Sequence, residues 1–327
     1  MKPQPIAVVS RNDVPDLALV DVAGERARAE EAALNALAPA TRAAYRADWA
    51  AFTAWCRSRS YEPLPAAPAV IAMYLPHAAK TLKAASIGRR IAAIAHMHEQ
   101  AGHPSPMAHP TVKNVWKGVR REIGIAQKGK SALTIDGLRP VVAGFGARRI
   151  DVRDRAVLLL GFAAALRRSE IVALDVADIT FVAEGAAVTI RRSKTDQESA
   201  GVLLGVPFGS NPETCAVRAL RAWIALLDDA APDAPLFVSL NRHAQAGDRL
   251  SASAVAEIVK RRCAAVDLAG DFSGHSMRAG FVTTAAGAGV DALEISNQTR
   301  HKSLDMVKRY SRPATIWKSN AAFRVGM

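Results

Sequence analysis

Six polar side chains in the second half of the chain have the types and the order that one chemical reaction requires. They are two arginines, a lysine, two histidines and a tyrosine: Arg167, Lys194, His275, Arg278, His301 and Tyr310. Attack of a tyrosine on a phosphodiester without a metal needs cations at the two non-bridging oxygens, because negative charge grows there in the transition state. Arginine suits this task, since its planar group donates two parallel hydrogen bonds and stays protonated. The ordered set predicts this chemistry, which no member would predict alone.

Each arginine has a neighbour that could share its task. Glu170 lies three residues after Arg167, so it could orient that guanidinium across one helical turn. His275 and Arg278 are also three apart on a predicted helix, so both could reach the same phosphate. An ordinary structural interpretation stays open for Arg167, which could cap the carbonyls at the end of an apolar helix.

The lysine and the tyrosine could handle the oxygens that are exchanged on phosphorus. A tyrosine phenol has a pKa of about 10, so Tyr310 would need a neighbouring base or a cationic field to act as nucleophile. Lys194, at the tip of a predicted hairpin, could protonate the departing oxygen. The structural alternatives are a half-buried helix tyrosine and a solvated turn lysine.

The hydrophobic periodicity predicts two mainly helical domains. We expect a mobile arm over residues 1–28 and a bundle of four or five helices over 29–124. Residues 125–134 lose the periodicity and are predicted to form a linker. The second domain covers 135–327, with a tail that begins at about residue 312.

The predicted elements of the second domain would hold the six side chains. An apolar helix over 151–166 runs up to the first arginine. Two strand-like segments, 186–192 and 202–208, flank the lysine and predict an antiparallel hairpin. Ser251 and Asp291 are predicted N-caps of later helices.

The composition favours a polyanion as the partner. The chain has 43 Lys and Arg against 30 Asp and Glu, a net charge of +13. Its longest apolar run is too short to cross a bilayer, and the N-terminal residues lack the apolar core of a signal peptide. Three scattered cysteines form no disulfide framework. We therefore expect a nucleic-acid partner, no membrane, and a reducing cytoplasm.

Four segments in this order resemble the tyrosine recombinase (phage integrase) family, and most closely its Cre-type site-specific recombinases. The segments are ALRRSEIVAL, SKTD, SGHSMRAG and RHKSLDMVKRY. The step of nine positions from His301 to Tyr310 matches the family pattern, and the likeness covers roughly residues 35–315. It implies a mainly α protein with two domains. These are a helical, SAM-like core-binding bundle and an α+β catalytic domain, mostly helical with a small antiparallel sheet.

The resemblance implies a role for each residue of the set. Arg167 and Arg278 would clamp the scissile phosphate, with Glu170 bracing the first of them. Lys194 would be the general acid for the leaving 5′ oxygen. Tyr310 would attack in line, giving a 3′-phosphotyrosine link and a free 5′-hydroxyl without metal or nucleotide hydrolysis. Two protomers would bind each double-stranded DNA site and assemble into a tetramer that exchanges strands through a four-way junction.

The two histidines would complete the site. His275 would accept or donate the proton of the nucleophile, and His301 would hydrogen-bond a phosphate oxygen. The chain departs from the family pattern just before His301. It has Gln298, Thr299 and Arg300 where the family usually has a Gly-containing turn, which would alter how His301 is presented.

The resemblance also points to side chains that would contact DNA. Lys83, Arg89 and Arg90 lie on or near the third predicted helix, which enters the major groove in the family. Base contacts by Arg89 or Arg90 are therefore predicted, with phosphate contact or a solvated face as the alternatives. Lys130 would lie against the DNA backbone from a flexible basic linker.

Two further motifs are interpreted as coincidental. Residues 124–131, GIAQKGKS, match the phosphate-binding loop pattern, but a basic helix precedes them where a strand is needed. His96, His98 and His103 could suggest a metal cluster, but the last two are five apart and do not share one helical face. We therefore expect neither a metal nor a nucleotide cofactor.

Two other functions remain open on the sequence. A DNA-binding architectural protein could keep this fold and lose strand exchange. A type IB topoisomerase-like enzyme would share the chemistry and would not need a defined site or an oligomer. The presence of Tyr310 in a complete set favours the recombinase over the purely architectural protein.

Overall fold

The structure is a computed structural model of two compact units. It describes residues 36–124, 129–191, 201–227 and 230–301, with positions 25, 28 and 307. The units comprise residues 1–127 and 128–327. Described helices, together with small antiparallel sheets in the second unit, confirm the predicted mainly α class.

The described part of the first unit is a bundle of helices. Its α-helices are α1 (Pro39–Arg57), α2 (Pro68–Ala79), α3 (Ala84–Gln100) and α4 (Pro110–Ile123). Three of them begin at a proline, whose fixed φ suits the first helical position. α1 packs on α3 and α2 packs on α4, around a core that includes Phe52, Ile71 and Ile94.

Helix α2 runs further than its sequence indicates. Pro76 lies inside α2, where a helix would ordinarily end, but the helix continues through it to Ala79. A proline inside a helix removes one backbone hydrogen bond and costs stability. The flanking residues Leu75 and Ala78 are buried in the bundle core. Tertiary packing therefore outweighs the local effect of the proline.

The second unit contains seven described α-helices and five described strands. The helices are α5 (Ile135–Ala143), α6 (Arg149–Ala163), α7 (Arg168–Ala173), α8 (Ala216–Ile224), α9 (Ala252–Ala264), α10 (Ser276–Gly287) and α11 (Ala292–Thr299). The strands are β1 (Ile179–Phe181), β2 (Gly185–Ile190), β3 (Val202–Pro207), β4 (Val238–Leu240) and β5 (Ala246–Arg249). Among the described residues, no helix is both long and apolar enough to cross a membrane.

Helix α6 lies at the centre of the second unit. Its middle residues, 156–160, are all buried, and it packs against α8 and α10. A three-stranded sheet in the order β1-β2-β3 covers part of this core. β2 and β3 are the two predicted strands, and their antiparallel pairing is confirmed by the register Ile190 to Val202. β1, β4 and β5 have three or four residues each, too few for a period-two pattern.

The segment before α5 belongs to the second unit and corrects the predicted linker of 125–134. The backbone N–H of Ser131 donates to Asp271 O, and that of Leu133 donates to Ser276 O, both at 2.9 Å. Leu133 is fully buried. A Cβ atom at Gly280 would lie 1.7 Å from the Leu133 carbonyl oxygen, so only glycine allows this approach. Residues 125–128 of the predicted linker lie outside the described residues.

A buried ionic cluster joins α6 to α9. The carboxylate of Asp154 is 0% exposed and accepts hydrogen bonds from Arg153, Arg261 and Arg262 at 2.7–3.1 Å. We expect Asp154→Asn to lower the free energy of unfolding by about 3 kcal/mol, because Arg153 would stay buried without its carboxylate. Urea unfolding of the variant and the wild type measures this difference.

A matched control is Asp136→Asn. Asp136 also pairs with an arginine, Arg139, but its side chain is 82% exposed. Removing this surface pair should change stability by no more than about 0.5 kcal/mol. Equal losses in both variants would show that burial does not set the energy of the Asp154 cluster.

Candidate active site

The candidate site is built where α6 ends and α7 begins. α6 ends at Ala163, and Ala165 turns the chain with a positive φ of 47°. Arg167 is then the N-cap of α7. The alternative in which Arg167 caps the end of the preceding helix is wrong, because its guanidinium donates to Glu170, and other side chains donate to the carbonyls at the end of α6.

Glu170 fixes Arg167 from inside the unit. Glu170 is 2% exposed. Its Oε2 accepts the backbone N–H of Arg167 at 2.8 Å, and its Oε1 accepts from Arg167 Nη1. Burial would raise the pKa of Glu170, but Arg300 and Arg167 outweigh it and hold that pKa below its ordinary value. The carboxylate is therefore ionised and holds the Arg167 guanidinium.

Arg278 is brought to the same place from α10. It is 1% exposed, and its Nη1 donates to the carbonyl oxygen of Ala165 at 2.7 Å. Its Nε donates to Nε2 of His301 at 3.3 Å. The guanidinium thus contacts both the turn before Arg167 and His301, which lies two residues beyond the end of α11. Three distant segments meet at one point.

The hydrogen bonds of His301 define its tautomer. Thr299 Oγ1 donates its hydrogen to Ile295 O at 2.7 Å, so it can only accept from His301 Nδ1 at 2.8 Å. His301 Nε2 is then the lone-pair nitrogen, and it accepts from Arg278. In the free protein, His301 would have to gain a proton at Nε2 before it could donate to a phosphate oxygen from that atom.

The electrostatics of the site keep both histidines neutral. Desolvation, followed by the charges of Arg278 and Arg167, lowers the pKa of His301 to about 4. The pKa of His275, the N-cap of α10, is lowered by desolvation and by the same two arginines. Because His275 is exposed, we give the two charges the larger weight in its case. Neutral imidazoles at pH 7 can accept protons.

The free protein should lose stability as the pH falls because of His301. Its pKa is about 4 in the folded chain and about 6.5 in an unfolded one, so the unfolded state binds more protons between these values. The stabilising contribution of the neutral His301 ring to the free energy of unfolding is complete above pH 6.5, and it is lost as the pH falls towards 4. We expect the stability advantage of the wild type over His301→Gln to shrink by about 1 kcal/mol between pH 7 and 5, after solvent screening. Urea unfolding at both pH values measures it, and parallel pH curves would contradict it.

The structure adds residues that sequence reasoning did not assign to the site. Arg300 donates from Nη2 to Glu170 Oε2 at 2.7 Å, and Thr299 holds the ring of His301. The departure from the family pattern at 298–300 was the available signal. The sequence gives no indication that the side chain of Arg300 pairs with Glu170.

Two members of the predicted set, Lys194 and Tyr310, lie outside the described residues. The described strands β2 and β3 end on either side of the segment that contains Lys194. The described set is therefore Arg167, Glu170, His275, Arg278 and His301.

The three side chains of the first unit that are predicted to contact DNA differ in exposure and in hydrogen bonding. Lys83 is exposed at the N-cap of α3. Arg89 donates to the buried Asp48 at 2.6 Å and keeps its side chain 52% exposed. Arg90 donates to the Tyr74 hydroxyl at 2.6 Å and also to Asp48. Arg89 is thus held by Asp48 and still reaches solvent. Most of the hydrogen-bonding capacity of Arg90 is directed to Tyr74 and Asp48 within the first unit.

The remaining sequence motifs have structural explanations. Lys130 forms an exposed ion pair with Asp271 at 2.6 Å in the second unit, so it does not extend from a flexible linker.

Helix α4 precedes the GIAQKGKS segment, and the next helix starts only at Ile135. This is not the strand and helix of a phosphate-binding loop. His98 is buried and bonded to Ala66 and Ile94. No group of possible metal ligands occurs in the described ranges.

Known proteins are similar to this chain in sequence. The model of the Phage integrase family matches residues 137–315. An "Integrase/recombinase xerD homolog" from Selenomonas ruminantium is 38% identical over 292 residues, which are 86% of this chain and 84% of that protein. A "Tyrosine recombinase XerC" from Pelotomaculum thermopropionicum is 29% identical over 168 residues, which are 50% of each chain.

Solved structures share the fold at low sequence identity. XerH site-specific recombinase, in a post-cleavage complex with a palindromic difH substrate, has a TM-score of 0.57 at 17% identity, covering 78% of this chain and 71% of its own. A lambda integrase dimer bound to a COC′ core site has a TM-score of 0.55 at 16% identity, covering 88% and 94% respectively. At these identities the likeness shows the fold alone.

Proposed function

The chain belongs to the phage integrase family, and on this premise we propose that it is a site-specific recombinase. It would cleave and rejoin double-stranded DNA through a covalent 3′-phosphotyrosine intermediate. The first unit would act as the core-binding domain and the second as the catalytic domain. The enzyme would work in a bacterial cytoplasm without a metal or ATP.

One observation carries this proposal. Arg278, a buried residue, bridges the turn before Arg167 and the ring of His301. Residues more than a hundred positions apart are thereby gathered into one cationic cluster, with Glu170 orienting Arg167. Two fixed guanidinium groups supply the donors that a phosphodiester needs as charge grows on its oxygens, and the neutral ring of His275 can accept the phenol proton.

In the proposed cleavage step, Arg167 and Arg278 hold the two non-bridging oxygens. The Tyr310 oxygen forms a bond to phosphorus as the bond from phosphorus to the 5′ oxygen breaks. The phenol proton passes to the neutral ring of His275, and Lys194 gives a proton to the departing 5′ oxygen. The products are a 3′-phosphotyrosine and a free 5′-hydroxyl.

The rejoining step reverses these transfers on a new strand. A 5′-hydroxyl from the partner site attacks the phosphotyrosine and returns its proton to Lys194, and His275 returns the phenol proton to Tyr310. The number of phosphodiester bonds is unchanged, so no nucleotide hydrolysis is required. Two protomers on each site would form a tetramer that passes through a four-way junction.

Two alternatives predict different products. An architectural protein of this fold would bind duplex DNA and form no covalent adduct. A topoisomerase-like enzyme would relax supercoiled plasmid as a monomer and show no preference for a site. The recombinase requires a defined site and assembly on DNA.

The test is to trap the covalent intermediate on a library of duplexes with a randomised core. Each duplex is nicked, so that the short 5′-hydroxyl fragment diffuses away after cleavage. Protein-linked DNA is denatured, digested with protease and sequenced, and mass spectrometry locates the modified residue. We expect recurrent 3′ ends attached to a peptide that contains Tyr310, also in EDTA. Free 3′-phosphate ends, or a peptide modified at another residue, would overturn the proposal.

Lys194→Ala should slow adduct formation by roughly 10²- to 10⁴-fold, the usual range for removing a general acid. A substrate with a bridging 5′ sulphur should restore the rate, because a thiolate leaves without a proton. The matched control is Lys260→Ala, which removes an exposed lysine paired with Glu257 and should leave the rate unchanged. Absence of rescue by sulphur would exclude Lys194 as the acid.

A further inference from the structure

Arg300 has a backbone conformation that residues other than glycine rarely adopt. As the residue that follows α11, it has φ 56° and ψ 43°, in the left-handed region. A residue with a Cβ loses about 1 kcal/mol there relative to glycine. An arginine that keeps this conformation therefore requires a compensating interaction of its side chain.

That interaction is a buried ion pair at the centre of the site. The side chain of Arg300 is 9% exposed, and its Nη2 donates to Glu170 Oε2 at 2.7 Å. The same carboxylate accepts from the guanidinium and the backbone of Arg167. Glu170 is thus shared by two arginines from different parts of the chain, and its position depends on both.

Arg300 also belongs to a row of side chains that closes the end of α6. Three consecutive carbonyl oxygens there accept side-chain hydrogen bonds. The pairs are Ala163 with Gln298, Ala164 with Arg300, and Ala165 with Arg278. Cations at a helix C-terminus are stabilised by the carbonyl dipoles. The 298–300 segment therefore ties α11 to the turn that presents Arg167.

We propose that Arg300 is a positioning residue that sets the orientation of Arg167 through their shared contact with Glu170. The inference rests on the proposed recombinase function. The Nη atoms of Arg300 are directed to Glu170 and to carbonyl oxygens, so the role is to hold Arg167 and not to contact the phosphate. Its positive charge also contributes to keeping His301 neutral.

The first experiment compares three variants on the duplex selected in the trapping experiment. Arg300→Gly suits the left-handed backbone but removes the ion pair. It should slow adduct formation by about 10- to 100-fold, the range for losing a hydrogen bond to a charged group. Arg300→Lys keeps the charge and should recover most of the rate. Arg139→Lys, on an exposed arginine, is the control and should react like the wild type.

A double variant tests whether the effect passes through the carboxylate. If Arg300 acts through Glu170, then Glu170→Gln with Arg300→Gly should be no slower than Glu170→Gln alone. A purely structural role would instead make the two rate losses multiply. It would also reduce the melting temperature of Arg300→Gly and Arg300→Lys equally.

A second measurement needs no DNA. NMR titration of the His301 ring, assigned by its absence from His301→Gln, should show a higher pKa in Arg300→Gly than in the wild type and an unchanged one in Arg300→Lys. An unshifted pKa in Arg300→Gly, or adduct formation at the wild-type rate, overturns the inference. If the wild type itself forms no adduct, the proposed function has failed, and the titration alone decides whether Arg300 acts on the site.

Discussion

Replacing Tyr310 with phenylalanine is expected to abolish the covalent adduct and leave DNA binding intact. The substitution removes one oxygen atom, and that atom is the proposed nucleophile. The cationic groups that would hold the phosphate, Arg167 and Arg278, are unchanged. Adduct formation on the nicked duplex is measured on a denaturing gel, and binding is measured by gel shift under native conditions. Loss of both would mean that Tyr310 is needed for folding or assembly.

The chain offers a matched control for this variant. It contains four tyrosines, and Tyr61 is a partly exposed one in the first unit, in contact with Trp55. Tyr61→Phe should form the adduct at the wild-type rate. Tyr74 is less suitable, because its hydroxyl accepts a hydrogen bond from Arg90 in the core. A persistent adduct in Tyr310→Phe would assign the nucleophile to another residue.

The parts of the fold that could be predicted from the sequence depend on local chemistry. Ser251 Oγ accepts the N–H of Ala254 at 3.1 Å, and Asp291 accepts the N–H of Leu293 at 2.7 Å. Both N-caps were predicted, because the donor lies two or three residues from the acceptor. The β2–β3 pairing was predicted for a similar reason, since alternation and turn residues are read along one short segment.

The turn before Arg167 could not be predicted in this way. The sequence favours a continuous helix over 151–166, and alanine at 165 gives no signal for a positive φ. The structure ends α6 at Ala163, and the Ala165 carbonyl accepts from Arg278, which lies more than a hundred residues later. The positive φ of Ala165 thus accompanies a hydrogen bond from Arg278. The local sequence pattern around residue 165 does not show this distant contact.

The predicted DNA-reading arginines illustrate the same limit. Arg89 and Arg90 are adjacent, and the periodicity of α3 leaves both away from its isoleucine face. Asp48, buried in α1, pairs with both, and Tyr74 takes a further hydrogen bond from Arg90. We therefore propose Arg89, whose side chain remains half exposed, as the better candidate for a base contact. Arg90 contributes to the stability of the bundle.

The second large effect is expected for Arg278. Arg278→Ala should slow adduct formation by about 10³-fold or more, the upper range for losing one donor to a developing charge. Arg278→Lys should recover little of this loss. The guanidinium contacts Ala165 O and His301 Nε2 with two different nitrogens. A single ammonium cannot keep both contacts and also reach a phosphate oxygen.

A control variant and the pKa of His301 test whether Arg278 acts as proposed. Arg155→Lys alters a partly buried arginine that contacts Glu213 at 3.4 Å and the carbonyl oxygen of Val142, outside the candidate site, so it should retain the wild-type rate. The pKa of His301 should rise in Arg278→Ala, because the largest charge contribution that lowers it has been removed. A slow variant with an unchanged His301 pKa would mean that Arg278 does not act beside this ring. Full recovery of the rate by Arg278→Lys would show that charge alone, without the planar fork, is sufficient at this position.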